Sequence, residues 1–212
     1  MDFAKPTGEK EEKYGMGLEG VKEKALLYHL TEVSNMKMIV NYGLLPRRYL
    51  LEHNMIFGDV ADPQIISKRE ELGLDMYTPF HFHPYSAFDV AVKNTYSSKK
   101  FVYICIKRAF AEFNNFKILV RHPLSQQECV LYDYIDGINN IDWNTMEKTG
   151  TVDEYSRNVK MAECLTGKGI PAELFQCVYV PDMETKQYIE ELFQKKGILE
   201  HPPYVSIQPK WF

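Results

Sequence analysis

Three polar residues of the chain have the types and settings that catalytic groups need. His29 lies in the apolar run 26–30, Glu163 stands among the small and apolar residues of 161–165, and Arg69 belongs to a charged stretch of helix-forming composition. A carboxylate in so apolar a setting costs free energy to desolvate unless it is paired or used in chemistry. The residues alone leave other interpretations open, namely a hydrogen-bonded core histidine, an exposed carboxylate on an amphipathic helix and a solvated arginine.

A further pair of polar residues is His81 and His83, which alternate along an apolar segment. A strand there would present both rings on one face. Such a pair could bind zinc, but the sequence offers no convincing third ligand for a tetrahedral site. We therefore expect a structural pair or a contact to a ligand's base, and predict no metal.

Several common enzyme classes are excluded by their missing motifs. The sequence has no phosphate loop, dinucleotide glycine fingerprint, nucleophile elbow or HExxH helix. The sequence therefore does not predict a P-loop kinase, a Rossmann dehydrogenase or a serine hydrolase. The four cysteines show no CxxC spacing, which fits reduced thiols better than disulfides or a zinc cluster.

The overall charge also limits the function. A net charge of -4 and a pI near 5.9 provide no global basic field, so any binding of nucleic acid must rest on a local site. No apolar run approaches the ~18 residues that a membrane helix needs, and no secretory signal opens the chain. We expect a cytoplasmic protein without membrane contact and, since no heptad pattern is present, a monomer.

The 212 residues predict one domain after a short extension. Residues 1–24 are rich in Lys, Glu and Gly, and we expect them to form a mobile N-terminal extension, with a single domain over 25–212. A strand over 25–30 should be followed by Thr31 as an N-cap and a helix over 32–42 that Gly43 ends. Residues 44–77 predict a mostly helical excursion away from the sheet.

Further elements follow from aromatic and β-branched content and from helical periodicity. We expect helices over 88–94, 138–146 and 184–195, and strands over 101–106, 116–120, 129–134, 175–180 and 204–207. Strands outnumber helices and several are closely spaced. The fold class is therefore α+β, with a split and largely antiparallel β-sheet.

Eight short pieces, taken in order, resemble the DarT family of DNA ADP-ribosyltransferase toxins. They are LYHLT (27–31), YGLLP (42–46), IISKR (65–69), TPFHFHP (78–84), NIDWNTM (140–146), NVKMAECL (158–165), IPAELF (170–175) and PYVSIQPKWF (203–212). Each piece is weak singly, but their order and spacing over nearly the whole chain are specific.

The resemblance implies an ADP-ribosyltransferase fold with an NAD cleft between the halves of the sheet and a helical NAD-binding excursion. NAD is then the co-substrate and no metal is required. Glu163 matches the catalytic glutamate, His29 the histidine that holds the ribose, and Arg69 the catalytic arginine, with Lys68 as a one-residue alternative. The remaining NAD contacts implied are Leu30, Thr31 and Phe80.

The resemblance also implies single-stranded DNA as substrate and a macrodomain antitoxin of the DarG type as partner. Residues 135–158, with Trp143 and Tyr155, match the loop that recognises the target strand, although Trp143 by itself would be read as a packing residue. Tyr85 stands where an arginine is expected in the thymidine-modifying branch, and the FHFHP and AFD segments favour the guanosine-modifying branch weakly. Arg121 and His122 replace a Thr/Ser-Asp turn. All five could contact nucleic acid by stacking or charge.

Two alternatives remain open at this point. An RNA-directed ADP-ribosyltransferase would use the same NAD site with a different loop. A catalytically silent nucleic-acid-binding module of the same fold is less expected, because such a copy would not need His29, Arg69 and Glu163 together.

Overall fold

The computed structural model describes residues 20–125, 129–150 and 153–212. Within these ranges the strands are β1 (Leu26–Glu32), β2 (Thr78–His81), β3 (Phe101–Lys107), β4 (Lys117–Leu119), β5 (Leu131–Tyr132), β6 (Glu163–Thr166), β7 (Cys177–Val180) and β8 (Tyr204–Ile207). The α-helices are α1 (Met36–Tyr42), α2 (Arg47–Glu52), α3 (Pro63–Glu71), α4 (Ala87–Thr95), α5 (Arg108–Phe113), α6 (Tyr134–Asn140), α7 (Trp143–Glu147), α8 (Glu154–Lys160) and α9 (Met183–Lys196).

The strands form one sheet in the order β5-β4-β6-β2-β1-β3-β7-β8. Neighbouring strands are antiparallel apart from the parallel pair β7 and β8. β1 pairs with β3 along its whole length but meets β2 only at Tyr28↔His81. The sheet is therefore split between β1 and β2, as the α+β prediction required, and the split leaves room for a cleft.

Side chains that alternate along the central strands build two hydrophobic cores. Ile104 belongs to the larger core with Phe80 and Trp143, while its neighbour Tyr103 belongs to the second core with Trp211. β3 is buried at every position except its last. This continuous burial explains why its sequence is apolar throughout and not alternating.

The start of the domain differs from the prediction. Thr31 does not cap a helix: it lies inside β1, opposite Val102 on β3. α1 begins only at Met36, after a 3₁₀ turn over Val33–Asn35. Threonine favours both helix N-caps and strands, and here the pairing of β1 with β3 outweighs its capping preference.

Residues 20–24 do not belong to a mobile extension. Val21 is fully buried in the larger core, and the Arg108 guanidinium donates to the Lys22 carbonyl at 2.9 Å. The rest of the predicted extension, residues 1–19, lies outside the described residues.

Other elements are confirmed or shortened. The predicted strands over 101–106, 175–180 and 204–207 and the helices over 88–94 and 184–195 are confirmed with small shifts at their ends. The strand over 129–134 shrinks to Leu131–Tyr132. The helix over 138–146 is two helices, because Asp142 accepts from the Thr145 N–H and starts α7. The strand β6 over Glu163–Thr166 was missed.

The excursion over residues 44–77 leaves the sheet after α1 and returns at β2. It contains α2 and α3, and none of the residues of α3, all of them described, is buried. Asp62 caps α3 by accepting from the Gln64 N–H, and Pro63 occupies the first turn, as the Asp-Pro pair predicts. The excursion forms the outer wall of the cleft.

Candidate active site in the split of the sheet

The cleft lies between the strands β1, β2 and β6 and the excursion. It encloses about 1210 Å³, the open solvent at its mouth included. Apolar side chains from α1, α2 and α3 line one wall, and polar side chains from the strands line the other. An apolar concavity with a few converging polar groups is the usual form of a small-molecule site.

Glu163 and Arg69 form the charged centre of the cleft. Nη1 of Arg69 donates to both carboxylate oxygens of Glu163, at 2.9 and 2.7 Å, although the residues are 94 positions apart. Nη2 of Arg69 donates to the Leu74 carbonyl at 3.2 Å. The pair is well shielded from water, with side-chain exposures of 12% for Arg69 and 6% for Glu163.

The cleft keeps Glu163 ionised. Burial by itself would raise the pKa of Glu163, but the charge and hydrogen bonds of Arg69, with electrostatic contributions from His81 and His122, bring its pKa below the ordinary value. At neutral pH the cleft therefore holds a buried carboxylate with its counter-ion in place. Such a group can stabilise positive charge that develops on a bound substrate.

His29 is held as a neutral ring with a known hydrogen position. A carbonyl oxygen can only accept, so His29 Nδ1 donates to Pro79 across the split at 2.8 Å. Burial lowers the pKa of His29 to about 4, which keeps the ring uncharged at neutral pH. The hydrogen on Nδ1 makes Nε2 an acceptor, and a ligand hydroxyl is a suitable donor to it.

His122 has the opposite arrangement. The Leu124 backbone N–H donates to His122 Nδ1 at 3.2 Å, so the hydrogen of a neutral ring sits on Nε2. Burial lowers the pKa of His122 to about 4. His122 is 7% exposed and lines the cleft. It therefore provides a neutral N–H donor close to Glu163.

Unpartnered polar atoms concentrate in this cleft. In the described residues, the buried side-chain atoms without a hydrogen-bond partner are Asp75 Oδ1, Thr78 Oγ1, His81 Nδ1 and Asp89 Oδ1. All four residues line the cleft. Buried polar groups are almost always paired, so a group of orphans around one concavity indicates a polar ligand.

The comparison with known proteins decides the family. A sequence model described as "ssDNA thymidine ADP-ribosyltransferase, DarT" matches residues 28–212. The chain belongs to the DarT family. It is therefore an ADP-ribosyltransferase, as the resemblance of its motifs implied. No curated protein sequence matches the chain significantly.

Solved DarT structures share the fold. Thermus sp. 2.9 DarT in complex with ADP-ribosylated ssDNA matches with a TM-score of 0.73 at 18% identity, over 89% of this chain and 96% of that one. The same protein in complex with carba-NAD+ matches at 0.69, with 18% identity over 89% and 97%. Thermosipho africanus DarTG in complex with ADP-ribose matches at 0.72, with 18% identity over 89% and 51%. The predicted ADP-ribosyltransferase fold is confirmed.

In this DarT chain the catalytic trio implied by the resemblance comes together. His29, Arg69 and Glu163 all line the cleft. The two candidates for the family arginine have different partners: Lys68 pairs with Glu71 of the same helix at 3.0 Å, whereas Arg69 reaches Glu163.

The three predicted NAD contacts are placed differently from one another. Leu30 and Thr31 line the cleft beside His29. Phe80 is fully buried in the larger core, and its ring packs against the His29 ring with centroids 5.6 Å apart. Phe80 thus supports His29 from behind.

The residues predicted to contact nucleic acid divide into exposed and buried members. Tyr85 and Tyr155 are both 41% exposed, and the Arg121 guanidinium lies 5.0 Å from the centre of the Tyr155 ring. Trp143 is 9% exposed, packs edge-on against Phe82 and donates its indole N–H to the Ile138 carbonyl. The structure supports the alternative that Trp143 is a packing residue, and its ring offers no exposed face on which a base could stack.

Sequence reasoning missed several residues that shape the cleft. His81 was read as one half of an HxH pair, Asp89 was not singled out, and Asn35 was not considered. Asn35 donates to Thr31 Oγ1 and to the Gly58 carbonyl, and accepts from the Gly58 N–H at 2.7 Å. It ties the excursion to β1, and only a contact 23 positions away in the sequence reveals that role.

The described residues contain no group of three or more side chains placed to hold a metal ion. Among those same residues, no helix is both long and apolar enough to cross a bilayer.

Proposed function

We propose that this chain cleaves the nicotinamide–ribose bond of NAD and transfers ADP-ribose to thymidine in single-stranded DNA. The observation that carries the proposal is the buried Arg69–Glu163 pair at the centre of a cleft lined by unpartnered polar atoms. The description of the family and the ADP-ribosylated ssDNA in the Thermus DarT complex support both the DNA substrate and the base.

The lining of the cleft fits a dinucleotide in its chemistry. The orphan atoms of Asp75, Thr78, His81 and Asp89 supply acceptors and donors for hydroxyl and amide groups. The complexes of Thermus DarT with NAD+ and carba-NAD+ support NAD as the co-substrate.

The residues around Glu163 divide the work of the reaction. Loss of nicotinamide makes the anomeric carbon of the ribose cation-like, as in glycoside hydrolysis. Glu163 stabilises that charge, and Arg69 holds the carboxylate in one orientation. His29 accepts a ribose hydroxyl at Nε2 and fixes the sugar so that the acceptor atom meets the anomeric carbon in line.

The acceptor base would enter from the side of His122. The His122 Nε2–H donor can hold a carbonyl oxygen of the base, and thymine carries such oxygens. The Arg121–Tyr155 pair lies next along the chain and provides charge and an aromatic face for a neighbouring nucleotide. A local site of this kind accounts for DNA binding by an acidic chain.

The biological setting we propose is a toxin that a macrodomain antitoxin of the DarG type holds in check. The match to Thermosipho africanus DarTG, of which this chain covers 51%, supports such a partner. Both proteins would then act in the cytoplasm, where NAD and exposed single strands occur together.

The test is a mass measurement on oligonucleotides. The purified chain is incubated with NAD and single-stranded DNA strands that differ only in whether they contain thymidine or guanosine. We expect one ADP-ribose mass on strands with thymidine, none with Glu163→Gln, and normal transfer with Glu71→Gln, which removes an exposed carboxylate of α3.

Three outcomes would contradict the proposal in different ways. Transfer to strands that carry guanosine alone would overturn the base. Transfer only to matched RNA strands would favour the RNA-directed alternative. Binding of NAD without transfer to any strand would favour a silent module.

A further inference from the structure

We propose that Asp89, together with His81, recognises the carboxamide of the nicotinamide ring and so determines which dinucleotide the cleft accepts. The inference rests on the proposed function, because it assigns a part of NAD to a part of the cleft. Two of the four unpartnered buried atoms of the described residues, His81 Nδ1 and Asp89 Oδ1, carry it.

Asp89 is a buried carboxylate that is only half satisfied. It is 1% exposed at the N-terminus of α4. Its Oδ2 accepts from the Ser86 N–H at 2.9 Å, while Ser86 Oγ accepts from the Asp89 N–H at 3.1 Å. This reciprocal cap fixes the carboxylate and leaves Oδ1 without a partner among the described residues.

Such an arrangement costs free energy unless a ligand completes it. A buried acceptor left unpaired lowers stability, and a charged one lowers it more. No cation of the described residues lies within ion-pair distance of Asp89. The capping role uses only Oδ2 of Asp89 and leaves the burial of Oδ1 unexplained. A helix cap also does not require a buried carboxylate beside a ligand cleft.

The position of the pair points to the nicotinamide end. His81 is the register partner of Glu163 on the neighbouring strand, and such partners lie about 4.5–5.5 Å apart. The His81 ring also packs against Phe88, with ring centroids 6.2 Å apart, and Phe88 immediately precedes Asp89. The two orphan atoms therefore lie on the side of the cleft where the bond beside Glu163 is cut.

The chemistry of a primary carboxamide matches this pair. Its NH₂ group donates to Asp89 Oδ1, and its carbonyl accepts from His81 when the ring hydrogen is on Nδ1. The positive charge of the pyridinium ring in NAD compensates the Asp89 carboxylate. A dinucleotide with a carboxylate in place of the carboxamide would instead meet Asp89 with like charge.

A purely structural role for Asp89 makes a different prediction. Besides capping α4, Asp89 interacts with Tyr103: after burial, it is the next largest cause of the raised pKa of that tyrosine. In a purely structural role, Asp89 would serve only to hold the Tyr103 hydroxyl. Ser86→Ala removes the cap and Tyr103→Phe removes the hydroxyl. Both variants keep the Asp89 carboxylate, and Tyr103→Phe also removes the hydroxyl that interacts with it.

The experiment compares NAD with nicotinic acid adenine dinucleotide as substrates in the presence of single-stranded DNA. We expect wild type to prefer NAD in kcat/KM by roughly 100-fold or more, as sites that hydrogen-bond their ligand do. Asp89→Asn should narrow that ratio by about tenfold or more. The Asn oxygen still accepts from Ser86, and its NH₂ faces the ligand carboxylate. Ser86→Ala and Tyr103→Phe should keep the wild-type ratio.

Several results would overturn the inference. Wild type that uses both dinucleotides equally well contradicts it without any variant. An unchanged ratio in active Asp89→Asn contradicts it while the proposed function stands. A narrowed ratio in Tyr103→Phe assigns the effect to Tyr103. Wild type that neither binds nor cleaves NAD removes the proposed function itself and this inference with it.

Discussion

The two walls of the cleft are held by different forces. The sheet wall (β1, β2 and β6) consists of buried strands, and Glu163 is 5% exposed there among core residues. The excursion (residues 44–77) contributes α3, of which no residue, all being described, is buried. Three of its ion pairs join residues of the excursion to one another, and the Arg69–Glu163 pair joins it to the sheet wall. The carboxylate therefore sits on a rigid support, whereas the arginine that serves it sits on a wall that can open.

This difference suits a transferase that must admit two substrates. Regions with few buried apolar contacts open locally at low free-energy cost, and core strands do not. A mobile excursion can release products while the sheet wall keeps Glu163 and His29 in place. The following variants separate the two walls.

The largest loss of stability is expected at the Arg69–Glu163 pair, where the excursion meets the sheet wall. Arg69→Ala leaves Glu163 buried without its counter-ion, and breaking such a pair costs about 3–5 kcal/mol of unfolding free energy. The lowered pKa of Glu163 means that this contribution is present above the unfolded pKa of about 4.3 and is lost as the pH falls below it. Denaturant unfolding at pH 7 measures it.

A second substitution checks the cause. Glu163→Gln in the Arg69→Ala background removes the unpaired charge, so the double variant should be more stable than Arg69→Ala alone. A cost below about 1 kcal/mol for Arg69→Ala, the range of surface pairs, would contradict a tightly coupled centre.

A smaller effect, just beyond the end of β2, concerns the pH dependence of stability. His83 is 2% exposed, and burial lowers its pKa to about 4. The unfolded ring takes up a proton below about 6.5 and the folded ring does not, so stability falls as the pH drops from about 6.5 to about 4. For His83 this amounts to about 1–2 kcal/mol between pH 7 and pH 5.

Replacement of that histidine should flatten the pH profile. Asn can still donate to the Lys160 carbonyl, so His83→Asn is the suitable variant. Its unfolding free energy should change less between pH 7 and pH 5 than that of wild type. His53→Asn, on the exposed end of α2, is the matched control. Parallel profiles for wild type and His83→Asn would contradict the assignment.

The smallest global effect is expected on the excursion. Arg47 pairs with Asp59 and Glu70, each at 2.9 Å, and all three side chains are partly exposed. Arg47→Ala should therefore lower global stability by no more than about 1 kcal/mol. Hydrogen exchange should nevertheless become faster over residues 56–71 and stay unchanged in β1 and β3.

The matched control is Lys195→Ala, which removes an exposed pair with Glu191 on α9. It should change exchange in neither wall. If Arg47→Ala speeds exchange in the strands as much as in the excursion, the two walls open as one unit.

Some elements of the fold could be predicted from the sequence alone and others could not. β3, β7, α4 and α9 were predictable because their apolar periodicity or runs are long enough to rise above local noise. β6 was missed, since a strand of Glu163–Thr166 is too short to show any period. Thr31 was wrongly predicted to be a helix N-cap, because its strand partner Val102 lies 71 positions away and no local pattern shows that pairing.

The site was predictable only in part for a similar reason. Nothing local connects Arg69 with Glu163: the family motifs named both as site residues, but only the fold shows that they pair. His81 drew attention only as half of an HxH pair and Asp89 not at all, because an unpartnered atom is a property of packing and not of composition. The aromatic Trp143 looked like a stacking surface, but its burial depends on the approach of Phe82 from another element.

The most direct test of the account is to measure NAD affinity and single-turnover cleavage of NAD for Glu163→Gln. If Glu163 on the rigid wall stabilises the transition state while other groups hold the ground state, the Kd for NAD should stay within about threefold and the cleavage rate should fall by roughly 10²–10³-fold. A loss of affinity that accounts for the whole loss of rate, or an unchanged rate, would contradict the account.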